Sequence, residues 1–179
     1  CKDKEQRMQL LLIFLITCLS IVFPQDEKNI TKMDKFVSNT GQIMTLENFK
    51  LPVLKSKYSK LTVKVRRATT QDETSFYLMI TKPDKYNDKT GSIAEEDLEE
   101  IINALNVLIE KSKTVKKVSD YLETKFTTDD GFQVGYYIDA KPIWFLKLER
   151  YGSSTVFFDD YNQIKTTMSL ALTKIKELK

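Results

Sequence analysis

Two apolar stripes of helical period, seventy residues apart, constrain this chain more than any other feature. Leu98, Ile101, Ile102, Leu105, Leu108 and Ile109 recur at spacings of three and four, as do Ile164, Met168, Ala171, Leu172, Ile175 and Leu178. Each stripe predicts a helix that must bury one face against another layer. Ser92 and Glu95 have capping-box spacing and predict the first helix start at Ser92; Asp160 and Gln163 predict the second start near Asp159 or Asp160. Glu95, Glu96 and Asp97 crowd the first turn, and Lys111 and Lys113 the last, which suits the helix dipole.

Strand patterns precede both helices. Residues 61–66 alternate, with Leu61, Val63 and Val65 on one face and Lys60, Thr62, Lys64 and Arg66 on the other. Residues 76–80 form a second strand with Phe76, Leu78 and Ile80 on one face, after a turn at 71–73. Weaker strand signals lie at 42–46 and near Gly91, with a polar loop at 84–90. In the second half, strands are expected at 121–128, 132–138, 143–149 and 154–158. The turn Asp129-Asp130-Gly131 joins the first two of these, because glycine supplies a positive φ. The expected fold is therefore α+β: mostly antiparallel sheet packed by two long amphipathic helices. A duplicated ββββα unit, 41–115 and 118–179, is one reading; a chance match between two amphipathic helices is the other. One domain spans 41–179, and 26–40 reads as a linker or a short helix around 33–37. The twice-repeated ββββα layout resembles that of Whirly and PUR-type proteins, which implies a single-stranded nucleic acid as an alternative partner.

Residues 8–23 hold no charge, follow Lys2, Lys4 and Arg7, and end abruptly in polar sequence. That pattern is a secretory signal peptide over 1–25, with export to the periplasm or cell surface. Two alternatives stand beside it. The run could stay as a membrane anchor, although it is shorter than the ~20 residues of a relaxed span. Leu15-Ile16-Thr17-Cys18 also resembles a lipoprotein box that would lipidate Cys18. Both cysteines, Cys1 and Cys18, fall in this leader, so the exported part would depend on its apolar core alone.

Histidine is absent from all 179 residues. Ser-His-Asp and Cys-His chemistry and the usual zinc sites are excluded. The five glycines form no phosphate-binding loop. Carboxylate catalysis survives, through Asp129/Asp130 or Asp159/Asp160, but a hairpin turn and a helix N-terminus explain those pairs more simply. Neither a catalytic residue nor a cofactor or metal is expected, and a carboxylate-dependent hydrolase is the remote alternative.

The basic residues are less evenly spread. Residues 50–67 carry seven lysines and arginines and no acid, so the rest of 26–179, net +2 as a whole, carries −5. Lys60, Lys64, Arg66, Arg67 and Tyr58 are the candidate contacts in that segment. Tyr77, Tyr137 and one of Trp144 or Phe145 are expected on sheet faces turned from the helices, either exposed as a binding surface or covered by the other half of the chain. Such a surface would hold a protein or an anionic polymer, or a nucleic-acid strand as the alternative. The competing reading is a solvated face, or lysines that guard a sheet edge.

Overall fold

The computed structural model describes residues 30–38, 40–116 and 120–179. The leader, including Cys18, and the start of the 26–40 segment lie outside them. Helix α1 (Lys32–Val37) comes first. Strands β1 (Thr45–Lys50), β2 (Leu54–Lys55), β3 (Lys60–Thr69), β4 (Thr74–Lys82) and β5 (Lys89–Ala94) follow, then helix α2 (Glu95–Thr114). Strands β6 (Glu123–Thr127), β7 (Gln133–Ile138), β8 (Pro142–Lys147) and β9 (Thr155–Phe158) lead to helix α3 (Asn162–Leu178). The fold is α+β, with two antiparallel sheets. The first has order β1-β3-β4-β5, with β2 paired to the start of β3; the second has order β6-β7-β8-β9.

Register follows the alternation in the sequence. Val65 faces Leu78 and Val63 faces Ile80 across β3 and β4, so the apolar sides of both strands coincide. Val134 and Tyr136 of β7 oppose Leu146 and Trp144 of β8 in the same way. The β6–β7 turn closes with Gly131 at φ +87°, and its amide donates to the Thr128 carbonyl at 2.9 Å.

Both sheets and both long helices share one apolar core. Leu98, Ile101 and Leu105 of α2 are buried among residues from the two sheets. Helix α2 touches β4 and β5 of the first sheet, β6 and β7 of the second, and α3. Helix α3 follows the second sheet in sequence yet packs on β2 and β3 of the first. The sheets also meet at their margins. Lys57 donates its amide to the Phe157 carbonyl at 2.8 Å. Gly91 of β5 lies so near β8's end that a Cβ would stand 2.9 Å from the Leu148 carbonyl oxygen. No helix among the described residues is long and apolar enough to cross a membrane.

Two local expectations are corrected. Ser92 does not cap a helix: β5 runs straight into α2, so Ser92 is strand-paired with Met79, and α2 opens at Glu95 without a side-chain cap. Asp160 and Gln163 form no capping box. The Asp160 carboxylate accepts the Asn162 amide at 2.7 Å, and Gln163 accepts the Lys55 amide at 3.2 Å, which ties β2 to α3. Of the two readings of the segment before Gly41, linker or short helix, the described residues show the helix. A complete capping box between Thr31 and Asp34 starts α1, and Phe36 is buried on the first sheet. So short a helix shows no apolar stripe in the sequence; its anchors are tertiary.

Two outcomes are expected from the shared core. Leu105→Ala lowers the unfolding free energy by about 2–5 kcal/mol, read by urea denaturation. Far-UV circular dichroism and the fluorescence of Trp144, which is buried in the second sheet, give one common midpoint.

Candidate functional site

The first sheet turns Lys60, Thr62, Lys64 and Arg66 of β3 away from the core. This is the face predicted from alternation. Lys50 of β1 lies directly opposite Lys64, and Asn48 opposite Arg66. Opposed side chains in such a pair stand about 5 Å apart at Cβ, and successive same-face residues are about 7 Å apart along a strand. The cations therefore form a short row with one lateral partner. Arg66 donates from Nε to the Asn48 amide oxygen at 3.0 Å, which fixes its direction. Among the described residues, none of Lys50, Lys60, Lys64 or Arg66 has an ion pair within 4.0 Å. Partial burial lowers the pKa of Lys64, and the charge of Arg66 lowers it further. Strand β3 is interior to the sheet, so its lysines guard no edge.

The other end of the same face is covered. Helix α1 lays Phe36 over it, edge-on to Tyr77 at 6.3 Å, with Ala68, Met79 and Ala94 beneath. Tyr77 is thus buried, and burial raises its pKa. Of the two environments expected for it, open or covered, Tyr77 has the covered one, and the cover is α1 and not the second half of the chain. The α1 anchor is ionic as well. Lys32 Nζ lies 2.5 Å from Asp97 and 3.2 Å from Glu96, and its backbone amide donates to Asp130 at 2.9 Å. Burial alone would lower the Lys32 pKa, but the hydrogen bonds to Asp97 and Glu96 outweigh it and raise it. Asp130, held there by that amide, has its pKa raised by burial.

The structure separates the remaining candidates. Arg67 has the parity of Val65, not of Arg66. It pairs with Glu47 at 2.6 Å and lies over the Phe49 ring, so it does not join the basic face. Tyr58 is 77% exposed in the turn between β2 and β3, with Lys57 5.6 Å from its ring centre. Tyr137 stands on the second sheet. Of Trp144 and Phe145, Trp144 belongs to the core and packs against Tyr136 at 5.1 Å, whereas Phe145 has the outward parity of Tyr137. Lys50 was missed as a member of the basic face. Its strand signal is weak, because Leu46 on the outer side and Glu47 on the inner side break the apolar alternation.

Tyr137 stacks on Tyr121 at 6.4 Å and meets Phe157 edge-on at 6.1 Å. The Tyr121 hydroxyl donates to Glu123. That bond pushes the Tyr121 pKa up to about 12, with burial adding to it. Burial alone would raise the Glu123 pKa; hydrogen bonds from Lys125 and Tyr121 bring it below its ordinary value.

The carboxylate pairs have structural work. Asp130 holds α1, and Asp160 holds the start of α3. Asp159 lies 3.9 Å from Lys57. Of the acids opening α2, Glu95 pairs with Lys179, and Glu96 and Asp97 pair with Lys32. Among the described residues, no group of three or more acids could hold a metal ion. No family model, curated protein or solved structure matches the chain.

Two measurements follow from these environments. Replacing Lys50 by glutamine removes a like-charge cross-strand pair and is expected to raise stability by roughly 0.2–1 kcal/mol in low salt. Ultraviolet titration is expected to show one tyrosine with a midpoint near 12, returning toward 10 in Glu123→Gln. The sign is that of a raised pKa: with Glu123 ionised, the Tyr121–Glu123 contribution to stability is complete up to about pH 10 and is lost as pH rises through about 12; it is also lost in acid, as Glu123 takes up its proton.

Proposed function

We propose that the chain is an exported, non-enzymatic binding module that holds an anionic polymer on the outer face of its first sheet. The observation that carries this reading is Lys60, Lys64 and Arg66 in a row on an interior strand, with Lys50 opposite Lys64 and no acid paired to any of them. Like charges set directly opposite one another cost stability, and the core does not require them. A repeating anion would repay that cost by replacing the counterions gathered there.

Export rests on the uncharged run 8–23, its basic start and its polar end. The non-catalytic reading rests on the absence of histidine and on the structural employment of Asp130 and Asp160. A single-stranded nucleic acid is the alternative polymer. It would find cations on this face and the exposed Tyr58 ring in the turn before Lys60, but Tyr77 is buried and Tyr137 belongs to the other sheet.

Binding to polyphosphate, heparin and a short oligonucleotide, each over a salt series, tests the reading. Affinity is expected to fall steeply with salt. The combined variant K50Q/K64Q/R66Q is expected to flatten the slope of log affinity against log salt by about 2. A slope unchanged by those three substitutions would sink the proposal for this face. Cell fractionation tests the other half: recovery of the folded domain only from the cytoplasm would reject export.

A further inference from the structure

We propose that the outer face of the second sheet is a saccharide site, shaped for a pyranose ring that carries a carboxylate. The inference does not depend on the basic face of the first sheet. A hollow of about 350 Å³ opens on this side of β6–β9. In the middle of β7 lies Gly135, a glycine inside an interior strand whose φ is not positive. Conformational freedom is therefore not what this glycine supplies. A Cβ there would stand 2.5 Å from the Thr124 carbonyl oxygen and 2.6 Å from the Lys125 Cβ. Strand β6 presses against β7 at this point, as strand glycines permit. In the cross-strand row Lys125–Gly135–Phe145–Phe157, the glycine leaves the only position without a side chain.

Thr124 and Lys125 fill the place a side chain at Gly135 would take, and aromatic rings line the hollow beside it. Phe145 is only 4% exposed although its parity turns it from the main core, so it forms floor rather than rim. Tyr137 is clamped between the Tyr121 ring and the edge of Phe157, and rings held by one another lose little freedom when a ligand arrives. Next to them run Gln133, Lys147 and Thr155, one cross-strand row farther along. The opposite side is set by Glu123 and Lys125, paired at 2.8 Å.

This combination selects among ligands. A sugar ring presents a flat C–H face, which suits an aromatic surface, and a rim of hydroxyls that need both donors and acceptors. Gln133, Thr155 and Glu123 offer acceptors; Gln133, Thr155 and the lysines offer donors. The charge is also particular. Lys125 is neutralised by Glu123, while Lys147 has no ion pair among the described residues, so the hollow holds one unspent positive charge. That matches one carboxylate per ring. A phosphodiester strand calls for several unpaired cations in line, and here the acid Glu123 would repel it.

Titration calorimetry of the full chain with oligogalacturonate, a neutral gluco-oligosaccharide and a short oligothymidylate tests the proposal. The acidic oligosaccharide is expected to bind most tightly. Tyr137→Ala with Phe157→Ala weakens it by about tenfold or more. Lys147→Gln, on the rim, removes its advantage over the neutral oligosaccharide and carries the decision should the aromatic variant fail to fold. The titrations are made in the K64Q/R66Q background, which weakens the first sheet's basic face, so that the binding read there belongs to the second sheet. The proposal is overturned if oligogalacturonate does not bind the K64Q/R66Q protein, if that binding is insensitive to Lys147→Gln, or if oligothymidylate binds that protein in preference.

Discussion

Helix α2 lodged between two sheets is the constraint on which the rest of the structure depends. Its apolar stripe is wide enough to serve both: Leu98, Ile101 and Leu105 are almost wholly excluded from solvent. An isolated four-stranded sheet with one such helix would leave much of its apolar face wet. Here the second sheet reaches the same helix through β6 and β7, and α3 returns to the first sheet through β2 and β3. Each half thus completes the burial of the other. With the helices occupying the inner faces, both sheets are obliged to present their other faces outward, and those are the two candidate binding surfaces.

A smaller polar seam decides how much of the first outer face stays open. Lys32 joins α1 to the first turn of α2 through Asp97 and Glu96, and its amide reaches the β6–β7 turn at Asp130. Asp97 is nearly buried, so a cation beside it is needed; removing one partner of such a pair typically costs about 3–5 kcal/mol. The seam seats Phe36 over Tyr77 and Met79. The same sheet face is therefore apolar and covered at one end, and cationic and open at the other.

Much of this was legible in the residues. Alternation in β3 placed Lys60, Lys64 and Arg66 on one side, and the DDG turn placed the β6–β7 hairpin, because both are local consequences of backbone geometry. The helix starts were misplaced because strand pairing of Ser92 and the Gln163 contact to Lys55 overrode local capping chemistry. Tyr77 could be assigned to neither an open nor a covered face, because nothing local announces that a six-residue helix will lie over it. Arg67, adjacent to Arg66 in the chain, was counted with it although strand parity sends neighbours to opposite faces. Phe157, Lys147 and Tyr121 went unnoticed as partners of Tyr137, since their proximity is created by the pairing of β6, β7, β8 and β9.

The sequence by itself determined the class of fold, the two amphipathic helices, the strand faces and the concentration of positive charge in 50–67. It did so because helix and strand periods act over a few residues, and because charge is additive along a chain. Only the tertiary structure decided which faces stay open. It crossed α3 onto the first sheet, closed α1 over Tyr77, set Lys50 against Lys64, and pressed β6 against β7 at Gly135. Those are contacts between segments far apart in the chain, and they are chosen by which combination buries the most apolar surface while leaving no buried charge alone.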